Sequence, residues 1–172
     1  LFDDVSQLLA HEHHDEPFDD FQRQPLLPKK LSQLGPGTAW GDLDGDGWDD
    51  LIIGSGKGGR LTAYRNNAKG GFTHFTGKAF ERIEPHDQTT VLLWHGKDQA
   101  TRILTGSASY EESSNTLASV LAYSPASGTV ENLTPAEEAS VGPLALGDLS
   151  GDGNLCLFVG GRVVPGRYPE PA

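Results

Sequence analysis

The sequence predicts an all-β fold of repeated four-stranded antiparallel units, and three observations lead there. The first is composition: of 172 residues, 22 are Gly and 11 are Pro, while 36% are hydrophobic. That is enough apolar matter for a core, with turns too frequent for long helices. The second is internal repetition. Thr38–Ser55 (TAWGDLDGDGWDDLIIGS), Thr90–Ser107 (TVLLWHGKDQATRILTGS) and Leu144–Gly161 (LALGDLSGDGNLCLFVGG) align without a gap, at offsets of 52 and 54 residues. A period of that size is close to one four-stranded propeller blade, ~40–50 residues. The third is the apolar runs Leu51-Ile52-Ile53, Val91-Leu92-Leu93 and Leu157-Phe158-Val159. A sheet with one wet face alternates apolar and polar residues, whereas blades stacked face to face around an axis bury both faces. Stacked β-propeller blades are therefore expected.

The elements follow in order. Residues 1–34 are acidic and His-rich, then punctuated by proline, and read as an arm. Asp3–Ala10 is expected as a short helix with Val5, Leu8 and Leu9 on one face. Phe18, Phe21, Leu26 and Leu27 are expected to anchor the arm, while Pro25 and Pro28 keep that stretch extended. The first blade spans residues 35–86, with strands at Thr38–Trp40, Leu51–Ile53, Leu61–Arg65 and Phe72–Thr76, and turns at Gly58-Gly59 and Gly70-Gly71. The second spans residues 87–140, with strands at Thr90–Trp94, Thr101–Thr105, Leu117–Tyr123 and Thr129–Leu133. In the third, residues 141–172, only two strands are clear before Pro165, Pro169 and Pro171 break the pattern. Three units leave a blade face uncovered, so the chain reads as one segment of a larger propeller, or as a chain whose copies associate.

Charge narrows the partners. Lys+Arg 13 against Asp+Glu 24 gives a net charge of −11, which disfavours nucleic acid and anionic membrane surfaces. No run approaches the ~18 apolar residues of a membrane span, so no membrane insertion is expected. The sequence contains no Met and reads as a processed or excised piece. Cys156 is the sole cysteine and cannot form an intrachain disulfide; within Leu155-Cys156-Leu157-Phe158-Val159 it is expected to be a buried small hydrophobe.

The chemistry gathers in GDLDGDGWDD, Gly41 to Asp50. Asp42, Asp44, Asp46 and Asp50 occupy positions 1, 3, 5 and 9 of a short loop, with Gly45 and Gly47 allowing a tight turn. Ca²⁺ takes six to eight oxygen ligands, and alternate acidic residues wrap around it; without a cation those charges repel one another. An EF-hand begins the same way but needs a bidentate Glu at position 12, where this chain has Ile53, and helices on both flanks, where it has short apolar strand-like runs. The loop is read as joining two strands.

Other candidates are weaker. His11, His13 and His14 stand beside Glu12, Asp15 and Glu16, but the zincin spacing fails because Asp15 holds the place of the second His. A solvated or docking segment is the simpler reading. His86 with Asp87, His95 with Asp98, and His74 are possible catalytic groups. No nucleophile elbow, dinucleotide fingerprint, phosphate loop or haem motif accompanies them, and no catalytic residue is assigned.

On these residues the chain resembles the FG-GAP or VCBS repeat of integrin-alpha-like β-propellers, whose Ca²⁺ loop is D-x-D-x-D-G-x-x-D. The runs PLLPKKLSQLGPG and GGRVVPGRYP are further similar to bacterial secreted proteins of the cartilage-acidic-protein type, over roughly Asp15 to Pro171. The resemblance implies side-chain ligands from Asp42, Asp44, Asp46 and Asp50 and a carbonyl ligand from Trp48. In the second unit Trp94, Gly96, Asp98, Ala100 and Arg102 stand at those places, which implies no metal and a positive charge from Arg102 instead. In the third, Asp148, Ser150, Asp152 and the Asn154 carbonyl fit, but Cys156 replaces the last carboxylate, which implies weaker Ca²⁺ binding.

The function expected is a non-catalytic, Ca²⁺-stabilised, extracytoplasmic propeller module that binds a protein or glycan. The resemblance places it outside a bacterial cytoplasm: secreted, periplasmic or on the cell surface. The alternative is a structural subunit, or the propeller segment of a larger enzyme or assembly, joined to the rest of the propeller or to another subunit.

Overall fold

The computed structural model describes residues 3–96, 100–112 and 119–170. Among these residues, ten strands form two four-stranded antiparallel sheets and one hairpin. Sheet 1 holds β1 (Thr38–Gly41), β2 (Asp50–Ile53), β3 (Thr62–Asn66) and β4 (Phe72–His74), hydrogen-bonded in chain order. Sheet 2 repeats this with β5 (Asp87–His95), β6 (Thr101–Ala108), β7 (Val120–Ser124) and β8 (Thr129–Asn132). The third unit is a pair, β9 (Ser140–Gly147) with β10 (Cys156–Val163). The expected strand at Leu117–Tyr123 is β7; its first residues lie outside the described segments.

Sheet 2 is covered on both faces, which accounts for its apolar runs. On one side Val91, Ile103, Leu121 and Tyr123 pack against Ile52, Leu61 and Ala63 of the first unit. On the other, Leu104, Val120 and Ala122 pack against Val141 and Leu144 of β9. Successive residues of a strand point to opposite faces, so Ile103 and Leu104 serve different cores although both are at most 1% exposed. Polar ties run along the same seams. The Gln88 carboxamide accepts from the Ser55 amide at 2.9 Å and donates to the Tyr123 hydroxyl at 2.7 Å, leaving a 2%-exposed side chain satisfied. Thr89 and Thr90 hydroxyls donate to the Val141 and Gly142 carbonyls at 2.8 and 2.9 Å.

The third unit departs from expectation. Phe158 is 61% exposed and Cys156 is exposed, not buried as a small hydrophobe. With two strands instead of four, this hairpin covers sheet 2, while among the described residues no sheet covers its own outer side and only its end, at Val163, is packed by the arm.

The arm also differs. Asp3–Ala10 is not a helix: Ser6–Leu8 form one 3-10 turn, Val5 and Leu8 are exposed, and only Leu9 packs, against Leu51, Ile53 and Tyr64 on the outer face of sheet 1. A four-residue helix α1 (Asp20–Arg23), not expected from sequence, is capped by Asp19, whose carboxylate accepts from the Phe21 and Gln22 amides. Phe18 and Leu27 do anchor, joined by Leu31 against Tyr110 and Val163, whereas Leu26 is 95% exposed and Phe21 is also exposed. Buried Asp20 accepts from the Leu31 and Ser32 amides at 2.6 and 2.9 Å, closing the intervening loop. With the Arg23 guanidinium on the Tyr110 carbonyl and Arg162 on the Leu31 carbonyl, the arm touches all three units.

Candidate metal centre

β1 and β2 pair so that Gly41 stands opposite Asp50, which turns residues 42–49 into the hairpin loop and brings its last acid back to its first. Carboxylate oxygens of Asp42, Asp44 and Asp50 lie within 4.8 Å of one another. The loop folds around Asp42: its Oδ1 accepts from the Gly45 and Asp46 amides at 2.7 and 3.1 Å, and its Oδ2 from the Gly47 amide at 2.9 Å. Those amides, Gly47 first, hold the Asp42 carboxyl below the usual carboxylate range. Gly45 and Gly47 have φ of 84° and 88°, a left-handed conformation that side chains resist.

Asp50 has a different environment. It is fully buried, and its two oxygens accept from the Leu43 and Asn66 amides at 2.9 Å each. Burial pushes its carboxyl up, with Asp44 and Asp46 adding to the rise and the two amides opposing it. A buried carboxylate flanked by two more is the part of this site that most needs a cation. Asp46 is exposed, accepts from the Trp48 amide at 2.9 Å, and stands outside the group of three; the Trp48 ring is 53% exposed.

Arg65, on β3, meets Asp44 at 2.5 Å and lies over the Phe75 ring at 5.0 Å. Sequence reading passed over it, since a positive charge one strand away has no place in a loop motif. The strand order supplies the contact: β3 lies beside β2, and Asn66 next to Arg65 is already bonded to Asp50.

The third loop copies the first in backbone and not in donors. Asp148 accepts from the Gly151 and Gly153 amides at 2.8 and 2.7 Å, as Asp42 does from Gly45 and Gly47, and these amides, Gly153 first, hold its carboxyl down. Asp152 accepts from the Asn154 amide and carboxamide at 2.8 and 2.7 Å, and the Ser150 hydroxyl reaches Asp148 at 3.5 Å. Exposed Cys156 stands where the first loop has buried Asp50, and the third loop forms no convergent acidic group among the described residues. In the second unit Asp98 lies outside the described residues; Arg102 stacks over Trp94 at 5.1 Å, and the Gly96 amide donates to the Ala100 carbonyl at 3.0 Å.

The histidines take separate places. His11, His13, His14 and His74 line one cleft with Glu12, His11 meeting the Tyr64 hydroxyl at 2.9 Å. His86 faces Glu112 at 3.7 Å, and His95 reaches Thr101 at 3.3 Å. Among the described residues, no histidine belongs to a set of three or more ligand-type groups converging within 4.8 Å. A second convergent set does exist, Asp15, Asp87 and Glu111, drawn from the arm, β5 and the turn after β6. These residues are far apart in the chain, and no local pattern announces their meeting.

A family model described as an FG-GAP-like repeat matches residues 42–93, from the first acid of the loop to the middle of β5. No curated protein and no solved structure matches the chain. The matched stretch holds the acidic loop, β2 to β4 and most of β5, and over those residues the chain is similar to an FG-GAP-like repeat.

Proposed function

We propose that this chain is a Ca²⁺-stabilised, non-catalytic propeller module that works outside the cytoplasm, secreted, periplasmic or at the cell surface, and binds a protein or glycan partner. The observation that carries the reading is the meeting of Asp42, Asp44 and Asp50 within 4.8 Å, one of them fully buried. The donors are hard oxygens, which suit Ca²⁺ over softer ions. Asp46 and the Trp48 carbonyl complete the set by resemblance. An ion here ties the end of β1 to the start of β2 and, through Asp50 and the Asn66 amide, to the end of β3.

In this reading the ion is structural. Binding only to the folded state adds about 2.7 kcal/mol when free Ca²⁺ is 100 times its Kd. Calorimetric titration is expected to give one strong site, and EGTA is expected to lower the melting temperature; absence of both a heat of binding and a shift in melting would defeat the proposal. The third loop, with Asp148, Ser150, Asp152 and the Asn154 carbonyl, is assigned a weaker site at most. The net charge of −11 supports partners other than nucleic acid, and among the described residues no helix is long and apolar enough to cross a membrane.

A second reading, a structural subunit or the propeller segment of a larger enzyme or assembly, is favoured by the third unit. Leu155, Phe158 and Val159 are 49%, 61% and 39% exposed on a two-stranded hairpin. Further strands or another subunit would cover them. Light scattering separates the two: a monodisperse monomer that resists aggregation argues for the self-sufficient module.

A further inference from the structure

The arm is seated at the end of the blades opposite the Asp42 loop. The Glu16 amide donates to the Lys57 carbonyl at 3.1 Å, and the backbone around Asp15 presses on glycine: a Cβ added at Gly56 would lie 2.6 Å from the Cβ of Asp15. That seat brings the Asp15 carboxylate to those of Asp87 and Glu111, all within 4.8 Å. Asp87 Oδ1 accepts from the Lys57 amide at 2.9 Å, but Asp15 Oδ1 and Glu111 Oε1 are buried with no hydrogen-bond partner. Three ionised carboxylates so placed repel one another, and the repulsion is relieved when Asp15 leaves, when the group takes up a proton, or when a cation enters it.

We propose that docking of the arm takes up a proton shared among Asp15, Asp87 and Glu111, so that the arm is a proton-dependent strap across the blades.

The neighbouring charges do not replace that proton. Lys57 faces Glu111 but is engaged with Glu112 at 2.8 Å, His86 faces both that Glu112 and Asp87, and Asp87 also faces His13 and Arg162, whose guanidinium is on the Leu31 carbonyl. His13 and His14 lie on the arm beside Asp15, while Glu16 faces Lys57, Asp20 faces Glu111, and Arg82 faces His86 beside Glu84. Burial first, then Asp87 and Asp15, pushes Glu111 up to about 7, and burial raises Asp15 and Asp87 as well. A carboxyl raised in the docked state favours docking below its undocked value. That contribution is lost as pH rises through the docked value, here between the ordinary 4.5 of a glutamate and about 7 for Glu111. His11 works in the opposite sense: burial, then His13 and His74, holds its imidazole below 6.5, so acid protonation favours release. Wild-type docking is therefore strongest at intermediate pH, and removing one acid separates the two limbs.

The test is amide hydrogen exchange of Glu16 and the arm, corrected for intrinsic rate, on the full chain from pH 5 to 8, with Ca²⁺ held saturating. Opening in the wild type is expected to rise by up to tenfold per pH unit toward pH 7, the limit for one proton. Glu111→Gln, near in shape and unable to ionise, is expected to flatten that rise while leaving circular dichroism unchanged. Asp15→Asn is expected to do the same and serves if the first variant folds poorly. Gly56→Ala is expected to open the arm at every pH. The proposal is overturned if Glu111 titrates near 4.5 by carboxyl NMR with the arm protected, or if Glu111→Gln keeps the wild-type profile. Restored protection at pH 8 when Ca²⁺ is added to Asp50→Asn also overturns it, since a cation would then neutralise the group.

Discussion

The first and third units descend from the same pattern and meet different surroundings. Ile52 and Phe158 hold one place in the aligned repeat, yet Ile52 is 0% exposed and Phe158 is 61% exposed. Asp50 and Cys156 hold another, and Asp50 is fully buried under the Leu43 and Asn66 amides while Cys156 is exposed. The Asn66 amide belongs to the end of β3, and the third unit has no third strand among the described residues. The lesson is that a strand pair and two glycines suffice to shape the loop, but a third strand is needed to bury the carboxylate on which the proposed metal site rests.

Five substitutions test that contrast. The largest effect is expected from Ile52→Ala, at about 2–5 kcal/mol for a buried aliphatic truncation. Phe158→Ala at the equivalent place is expected to change stability by about 0.5 kcal/mol or less. Denaturant melts of the pair measure this directly, and equal losses would mean that the outer face of the hairpin is covered in solution. Next, measured without Ca²⁺, is Asp50→Ala, which leaves the buried Leu43 amide unpaired at about 1–3 kcal/mol and frees the half-buried Asn66 amide; it is also expected to remove the Ca²⁺ stabilisation. Its melting temperature should no longer respond to EGTA.

A smaller change is expected from Cys156→Asp. A carboxylate restored to the third loop should raise calorimetric stoichiometry from one toward two, with the new site weaker because its acid stays exposed. No added heat would show that burial by a third strand, and not the ligand count, is what that loop lacks. The smallest effect belongs to Arg65→Gln. Releasing Asp44 from the guanidinium and removing a nearby positive charge should tighten Ca²⁺ by roughly two- to fivefold, the range of a surface ion pair. A half-exposed Arg65 that affects neither Ca²⁺ affinity nor the apo melting temperature would be a bystander.

Much of this architecture was legible beforehand. The strands of the first two units lie where the apolar runs and glycine turns put them, because period-2 burial and left-handed glycines are local properties. The acids of the first loop were legible for the same reason, their spacing being set within ten residues. The arm was read less well. Leu26 has the composition of an anchor and is exposed, while Leu31 docks instead, since which apolar residue of an irregular segment finds the body depends on the path Asp20 imposes on the chain.

By itself, the sequence determined the repeat, the strand order within each blade and the acidic hairpin, all of which rest on spacing along one stretch of chain. Only the tertiary structure decided that Asp44, and not Asp46, joins Asp42 and Asp50, that Arg65 reaches the loop, and that Asp15, Asp87 and Glu111 converge. Those facts depend on contacts between strands and between segments far apart in sequence, where burial and charge act through space and leave no periodic mark on the chain.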